Sequence, residues 1–306
     1  MLSSPTTAEL PKTRLHADAE RMNADRAILN GPAFHHLKNV LRAEPGFELI
    51  VFDGAGRESV GVLELYQGKT AVVRILHDTD TSTESALDLT LAPCLAKGKK
   101  IDLVVEKAVE LGVDRVCVVT SKRSVARLGA DAAVARVERW RRIVASAAEQ
   151  CGRTQMPVVE RIRRLEEFLA SKPDDALGLV FTRGADPDPP ATLRQRYPNT
   201  YKVVTVIGPE GGLSPEEIEM AEGYGFHPVG LGPRTLRTET AAIVAAAVCQ
   251  HLWGDLGRQA PTRPCAVGAG TLPAPGLDEQ APPEPPGSEE PRLPGIGAPG
   301  SRPNDA

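Results

Sequence analysis

Short apolar runs alternate with amphipathic helical segments along residues 86–254. The apolar runs predict strands at residues 87–95, 116–119, 177–182, 203–207 and 226–230. Between them, apolar residues recur at helical spacing, as in the segment that begins at Ile101 and is closed by Gly112. This alternation predicts an α/β fold, with a parallel sheet covered by helices on both faces.

Two glycine-rich segments, residues 207–214 and 230–242, each follow a predicted strand and lead into a predicted helix. They are therefore loops at the carboxyl ends of strands, where open α/β sheets bind ligands. Glycine permits positive φ or close approach, and proline fixes φ, so the loops have defined shapes. The residues concerned are Gly208, Pro209, Gly211, Gly212, Gly230, Gly232 and Pro233.

Neither loop matches the two common phosphate-binding patterns, Gly-X-X-X-X-Gly-Lys-Ser/Thr and Gly-X-Gly-X-X-Gly. Glu210 also places a negative charge where a phosphate would bind. The sequence therefore disfavours a nucleoside triphosphate and favours a flat polar ring that meets backbone N–H and C=O groups.

Residues 208–214 (GPEGGLS) and 231–241 (LGPRTLRTETA) together resemble the SPOUT class of S-adenosylmethionine-dependent RNA methyltransferases, and within it the RsmE family. Supporting matches lie at residues 106–113 (EKAVELGV), 121–124 (SKRS) and 147–153 (AAEQCGR). The resemblance covers roughly residues 12 to 253. It implies methylation of N3 of a uridine in the 16S rRNA of the small ribosomal subunit, by a homodimer.

The resemblance also specifies the fold and the cofactor site. It implies a SPOUT-type parallel sheet with a C-terminal trefoil knot, preceded by a small PUA-like β-barrel that helps to hold RNA. Leu231 and Leu236 are expected to wall an adenine slot. The residues expected to bind S-adenosylmethionine are Thr182, Ile207, Gly208, Pro209, Glu210, Gly211, Gly212, Leu231, Gly232, Arg234, Leu236, Thr238 and Thr240.

Methylation at uracil N3 requires a base, because this nitrogen is mostly protonated at neutral pH, and a cation to stabilise charge on the flanking oxygens. Arg237 is the candidate cation, and its alternative role is a structural ion pair. Glu239 is the main candidate base, and Glu210 is a second one. Either carboxylate could instead be structural, as a helix cap or a partner of a backbone amide.

Four residues are candidates for contacts with RNA: Lys122, Arg123, Gln150 and Arg153. The chain is acidic, with a formal charge of −4 and a pI near 5.9, but residues 97–164 are rich in Lys and Arg. Local basic surface is sufficient to bind phosphates. The alternatives are a solvated helix face for the charges and an ordinary helix C-cap around Gly152.

The predicted domains are a barrel at residues 12–78, a polar linker at 79–85 and the methyltransferase domain at 86–254. In the barrel, strands are predicted at residues 48–52, 59–65 and 69–76, with a hairpin turn at 53–56. A helix over residues 34–42 would place Phe34, Leu37 and Leu41 on one face. Residues 255–306 are rich in proline and poor in large apolar residues, so we expect them to be disordered.

The remaining features indicate a reduced cytoplasmic protein without a metal. The five cysteines show no C-X-X-C pairing, and no H-E-X-X-H motif is present. No signal-peptide core or membrane-length apolar run occurs, which excludes a membrane partner.

Two other functions remain open from the sequence. One is a SPOUT enzyme that modifies tRNA or a ribose 2′-hydroxyl, and the other is a non-catalytic RNA-binding assembly module that retains the cofactor slot.

Overall fold

The computed structural model describes residues 11–80, 82–124, 129–183 and 187–257. Most of the segment predicted to be disordered, residues 258–306, lies outside the described residues, as does Cys265. Within the described ranges, no helix combines the length and apolar character that a membrane span requires.

The N-terminal region forms a five-stranded sheet in the order β1-β3-β4-β5-β2. β1 runs parallel to β3, and the other pairs are antiparallel. The predicted turn at residues 53–56 is present, with the Asp53 carboxylate accepting hydrogen bonds from the amides of Ala55 and Arg57. The strands are Arg14–His16 (β1), Arg26–Leu29 (β2), Glu48–Phe52 (β3), Glu58–Gln67 (β4) and Thr70–Asp78 (β5).

The helix predicted over residues 34–42 differs in the structure. It begins earlier, as α1 (Gly31–His35), and continues as a π-helical turn over His36–Val40. The wider turn rotates the following residues, because it adds one residue per hydrogen-bonded ring. Leu37 is buried, but Leu41 is exposed, so the two do not share one face towards the core as predicted.

The C-terminal region contains a six-stranded, fully parallel sheet in the order β13-β11-β12-β6-β7-β9. A separate parallel pair joins β8 to β10. The strands are Asp88–Pro93 (β6), Arg115–Val116 (β7), Val119–Thr120 (β8), Val158–Val159 (β9), Arg163–Arg164 (β10), Leu177–Phe181 (β11), Lys202–Ile207 (β12) and Phe226–Val229 (β13). The single strand predicted at residues 116–119 is therefore two short strands that pair differently.

Helices cover both faces of this sheet, as the alternation predicts. One face packs mainly on α2, α3 and α7, and the other packs on α4 and α6. Neighbouring residues of a strand serve opposite faces: in β12, Val203 belongs to the first core and Val204 to the second. The helices are Lys100–Glu110 (α2), Ala130–Cys151 (α3), Leu165–Ala170 (α4), Pro190–Arg196 (α5), Pro215–Gly223 (α6) and Thr238–Trp253 (α7).

Residues 82–85, the described end of the polar segment that begins at residue 79, are packed against the methyltransferase region. The Glu84 carboxylate is buried and accepts hydrogen bonds from the Arg153 guanidinium and from the amides of Thr154 and Gln155. The segment therefore holds a fixed position on the end of α3. The trefoil knot stays a prediction from the resemblance.

Candidate functional site

A cavity of about 460 Å³ opens at the carboxyl ends of β11, β12 and β13. The two glycine-rich loops follow β12 and β13, and these strands are not neighbours, because β11 lies between them. β11 therefore contributes Phe181 and the adjoining Thr182 to the cavity, while the loops form its walls. The volume is within the usual range for a small-molecule site.

The cavity brings together most residues that were predicted to bind the cofactor. Thr240 is the exception, since it is exposed and does not line the cavity. The predicted residues that do line it are Thr182, Ile207, Gly208, Pro209, Glu210, Gly211, Gly212, Leu231, Gly232, Arg234, Leu236 and Thr238. Arg123, a candidate RNA contact, also lines the cavity, and the lining residues that the sequence analysis missed are Phe181, Arg183, Leu213, Pro215, Ile218, Thr235 and Ala241.

The first loop, residues 208–214, is folded tightly on itself. A Cβ atom on Gly208 would lie 3.0 Å from the amide nitrogen of Leu213, closer than side chains normally approach. Gly212 has φ of 66°, which favours glycine. From outside the loop, Arg123 Nη1 donates to the carbonyl oxygen of Gly211 at 2.9 Å. The loop geometry is thus specified by its glycines and braced by one arginine.

The second loop, residues 230–237, is held in a similar way. Gly232 has φ of 88°, which again favours glycine. The Arg183 guanidinium, just after β11, donates to the Thr235 hydroxyl. A Cβ atom on Gly230 would lie 2.9 Å from the Pro187 ring, so the start of the loop has no room for a side chain.

One buried polar atom in the cavity points to a polar ligand. Thr238 is 3% exposed and lines the cavity, yet its hydroxyl oxygen has no hydrogen-bond partner. An unsatisfied buried hydroxyl costs free energy, and a ligand with a complementary group removes that cost. Leu231 and Leu236 add apolar surface beside it. An adenosine with an amino acid attached has both the flat ring and the polar groups that this site accommodates.

Lys100 links the first loop to the start of α7, a feature that the sequence analysis did not identify. Its ammonium lies 2.8 Å from Glu210 Oε1 and 3.9 Å from Glu239 Oε2. The hydrogen bond to Glu210 raises the pKa of Lys100. Burial alone would raise the pKa of the Glu210 carboxyl, but the Lys100 ammonium and nearby backbone amides lower it. The only sequence signal was the position of Lys100, shortly after the predicted strand at residues 87–95.

The two candidate catalytic residues lie at the start of α7. Arg237 is the N-cap of this helix, and its side chain is exposed. Glu239 is in the first turn, with its side chain 14% exposed. Its Oε2 is buried and has no hydrogen-bond partner. Neither side chain lines the cavity itself, but each directly follows a residue that does, Leu236 or Thr238, and we call Arg237 and Glu239 the rim residues.

The four candidate RNA contacts have different positions. Lys122 is exposed, and its ammonium lies 3.6 Å from Glu216. Arg123 braces the first loop, and Gln150 is exposed on α3.

Arg153 requires a correction, because its side chain is buried. Its guanidinium lies 2.8 Å from Glu84 and donates to the carbonyl oxygen of Val113 at 2.6 Å. These bonds hold the end of α3, so the predicted RNA contact at Arg153 is corrected to a structural role. Gly152 is the left-handed C-cap of the helix, as the alternative interpretation has it.

Among the described residues, no group of three or more His, Cys, Asp or Glu side chains is close enough to hold a metal ion. The pKa of the buried Cys94 thiol is raised to about 12 by desolvation, as is that of Cys249. Such thiols are poor nucleophiles.

Two family models match the chain. The RNA methyltransferase PUA domain matches residues 29–76, and the RNA methyltransferase domain matches residues 83–250. The chain is also 31% identical to the ribosomal RNA small subunit methyltransferase E of a Synechocystis species, over 76% of each protein. The chain belongs to this family.

Further members of the family agree with this assignment. The ribosomal RNA small subunit methyltransferase E of Bacillus subtilis is 28% identical, over 73% of this chain and 89% of its own length. The crystal structure of the Neisseria gonorrhoeae enzyme bound to S-adenosyl methionine has 35% identity and a TM-score of 0.71, over 79% of this chain and 98% of that one. A Legionella pneumophila methyltransferase in complex with S-adenosylmethionine has 33% identity and a TM-score of 0.74, over 81% and 100%.

Proposed function

We propose that this protein transfers a methyl group from S-adenosylmethionine to N3 of a uridine in the 16S rRNA of the small ribosomal subunit. One observation carries the proposal. The chain belongs to the ribosomal RNA small subunit methyltransferase E family, and its two glycine-rich loops enclose a cavity in which the Thr238 hydroxyl has no hydrogen-bond partner. Solved relatives contain S-adenosylmethionine.

The cavity residues would hold the cofactor by shape and by backbone groups. Leu231 and Leu236 would contact the adenine ring, and the Thr238 hydroxyl would bond to a polar atom of the ligand. When bound, S-adenosylmethionine would supply a methyl group on a positively charged sulfonium, and the neutral thioether that remains after transfer is a good leaving group. The protein's task is to place uracil N3 in line with that methyl group.

Glu239 is the proposed base that removes the N3 proton. Its Oε2 accepts no hydrogen bond, and the Lys100 ammonium lies farther from it, at 3.9 Å, than from Glu210, so a lone pair is left to accept the proton. Glu210 is less suitable, since the ammonium of Lys100 lies 2.8 Å from it and its pKa is lowered. Arg237, two residues before Glu239, would stabilise the negative charge that spreads over the uracil oxygens.

The proposal extends to the assembly and the location of the protein. We expect a homodimer that acts in the cytoplasm on rRNA without a metal ion. Sedimentation velocity of the purified protein tests the dimer directly.

Mass spectrometry of nucleosides from 16S rRNA tests the proposed reaction. A strain without this gene should lack N3-methyluridine in its 16S rRNA, and expression of the wild-type protein should restore it. Restoration of a ribose 2′-O-methyl group or a tRNA modification instead would assign a different target. Binding of S-adenosylmethionine without any methyl transfer to small subunits would favour an assembly module.

A further inference from the structure

A second, basic groove lies beside the cofactor cavity. It has a volume of about 560 Å³ and is formed by the β8–β10 pair, the residues that follow β8 and the starts of α3 and α4. Its lining residues are Thr120, Ser121, Lys122, Ser124, Ala133, Arg161, Ile162, Arg163, Arg164 and Glu167. The lining thus contains four cations, three hydroxyl groups and one carboxylate.

We propose that this groove binds the phosphate backbone of the rRNA strand that carries the target uridine. The proposal rests on the proposed function, since it concerns how the same substrate reaches the methyl donor. It assigns RNA contacts to Arg161 and Arg164, which the sequence analysis did not select, and it keeps Lys122 as one.

The groove and the cofactor cavity are lined by neighbouring residues of one short segment. Within residues 121–124, Lys122 lines the groove and Arg123 lines the cavity. Glu217 holds this segment in place, because its Oε1 accepts a hydrogen bond of 2.7 Å from the amide of Lys122. If the target uracil lay at the mouth of the cavity, its neighbouring nucleotides would therefore lie beside the groove.

The cations at the groove surface are available to phosphate. Arg161 pairs with Glu167, but their side chains are 72% and 42% exposed. Arg164 lies 3.9 Å from Glu166 and is 81% exposed. Exposed ion pairs of this kind contribute little and are screened by salt, so a phosphate can replace the carboxylate.

The floor of the groove is held by more side-chain contacts than its surface. The Arg163 side chain is 15% exposed and pairs with Glu160, and its guanidinium also contacts Cys117 Sγ at 3.4 Å and Ser171 Oγ at 3.1 Å. Arg163, paired with Glu160, is therefore held in place, whereas the exposed Arg161 and Arg164 can move. The hydroxyls of Ser121 and Ser124 are hydrogen-bonded to each other at 3.1 Å, so one O–H is left as a neutral donor for a phosphate oxygen.

The test is the salt dependence of binding to 16S rRNA, measured by filter binding in the absence of cofactor. The double variant Arg161→Gln, Arg164→Gln removes two phosphate contacts. Its plot of log affinity against log salt should be shallower than that of the wild type by about 2. Its affinity at moderate salt should fall roughly tenfold. S-adenosylmethionine affinity, measured by calorimetry, should be unchanged, because neither residue lines the cofactor cavity.

The matched control is Arg194→Gln, Arg196→Gln on α5, which removes the same charge from a helix that does not line the groove. Arg196 also has an exposed acidic partner, Asp188, at 3.3 Å. The control should keep the wild-type slope. An unchanged slope in the groove variant, or an equal change in both variants, overturns the assignment. Because the readout is binding, a failure of the groove is distinct from a failure of methyl transfer in the wild type.

Discussion

At the scale of single residues, Lys100 is the side chain that joins the parts of the site. Its ammonium bonds to Glu210 in the first loop and lies 3.9 Å from Glu239 at the start of α7. These partners follow it by more than a hundred positions in the sequence. Lys100 therefore connects Glu210, in the wall of the cavity, with Glu239, the proposed base.

Lys100→Met should weaken S-adenosylmethionine binding by about fivefold, the upper end for an ion pair of this exposure. The reason is that Glu210 loses its partner and the first loop loses one constraint. Calorimetry measures the change. Lys107→Met is the control, since this lysine is on the same helix and pairs with Glu110 away from the cavity. Equal affinities of the two variants would contradict the proposed link.

The rim residues should affect the chemical step rather than cofactor binding. Glu239→Gln removes the proposed base, and Arg237→Gln removes the proposed cation. Each should lower kcat about 100-fold or more, while the Kd for S-adenosylmethionine changes less than threefold. Single-turnover methylation of small subunits measures the rate. Full activity of Glu239→Gln would exclude Glu239 as the base.

At the scale of elements, the end of α3 depends on a buried ion pair. Arg153 and Glu84 have side chains that are 5% and 2% exposed, and each makes further hydrogen bonds to the backbone. Removing one member leaves an unpaired charge in the interior. This pair also attaches the segment between the two domains to the methyltransferase region.

Arg153→Gln should lower the free energy of unfolding by about 3–5 kcal/mol, as expected for a broken buried pair. Urea denaturation measures it. Arg141→Gln, on the same helix, breaks an exposed pair with Glu138 and should cost less than about 1 kcal/mol. A small effect at Arg153 would mean that water or another side chain satisfies Glu84.

The elements also show what the sequence can and cannot predict. The start of α6 was predictable, because Ser214 and Glu217 form a capping box within one turn. The order of the strands was not, since apolar runs identify strands but not their neighbours. For the same reason Arg153 was assigned to RNA: its acidic partner is 69 positions away, and no local pattern reveals it. The π-helical turn at His36–Val40 likewise depends on tertiary packing.

At the scale of the whole molecule, three buried cysteines lie in the two cores that flank the parallel sheet, so their reactivity measures how readily each core opens. Cys94 and Cys117 lie in the core beneath α4 and α6, and Cys249 lies in the opposite core. Desolvation raises the pKa of the Cys117 thiol to about 11 and those of the other two to about 12. At pH 8 such thiols are almost fully protonated, and they are also inaccessible.

In a Cys265→Ser variant, therefore, only Cys151 should react within minutes with a thiol reagent at pH 8, because it is the partly exposed one among the described cysteines. The other three should react after denaturation. Absorbance of the released chromophore counts the thiols. A second fast-reacting thiol in the native protein would show that one of the two cores opens readily. The control is the Cys151→Ser, Cys265→Ser variant, in which no thiol should react fast.

The two carboxylate oxygens of Glu217 accept hydrogen bonds from two different parts of the protein. One accepts the amide of Ser214, where α6 begins beside the cavity, and the other accepts the amide of Lys122 at the groove. A ligand that immobilises the start of α6 or the Lys122 segment also restrains the other through Glu217. The second ligand then has to order less of the protein, so its binding costs less conformational entropy. By thermodynamic reciprocity, any factor by which the methyl donor strengthens RNA binding equals the factor by which RNA strengthens binding of the methyl donor. One carboxylate would make the two substrates cooperative although they occupy separate surfaces.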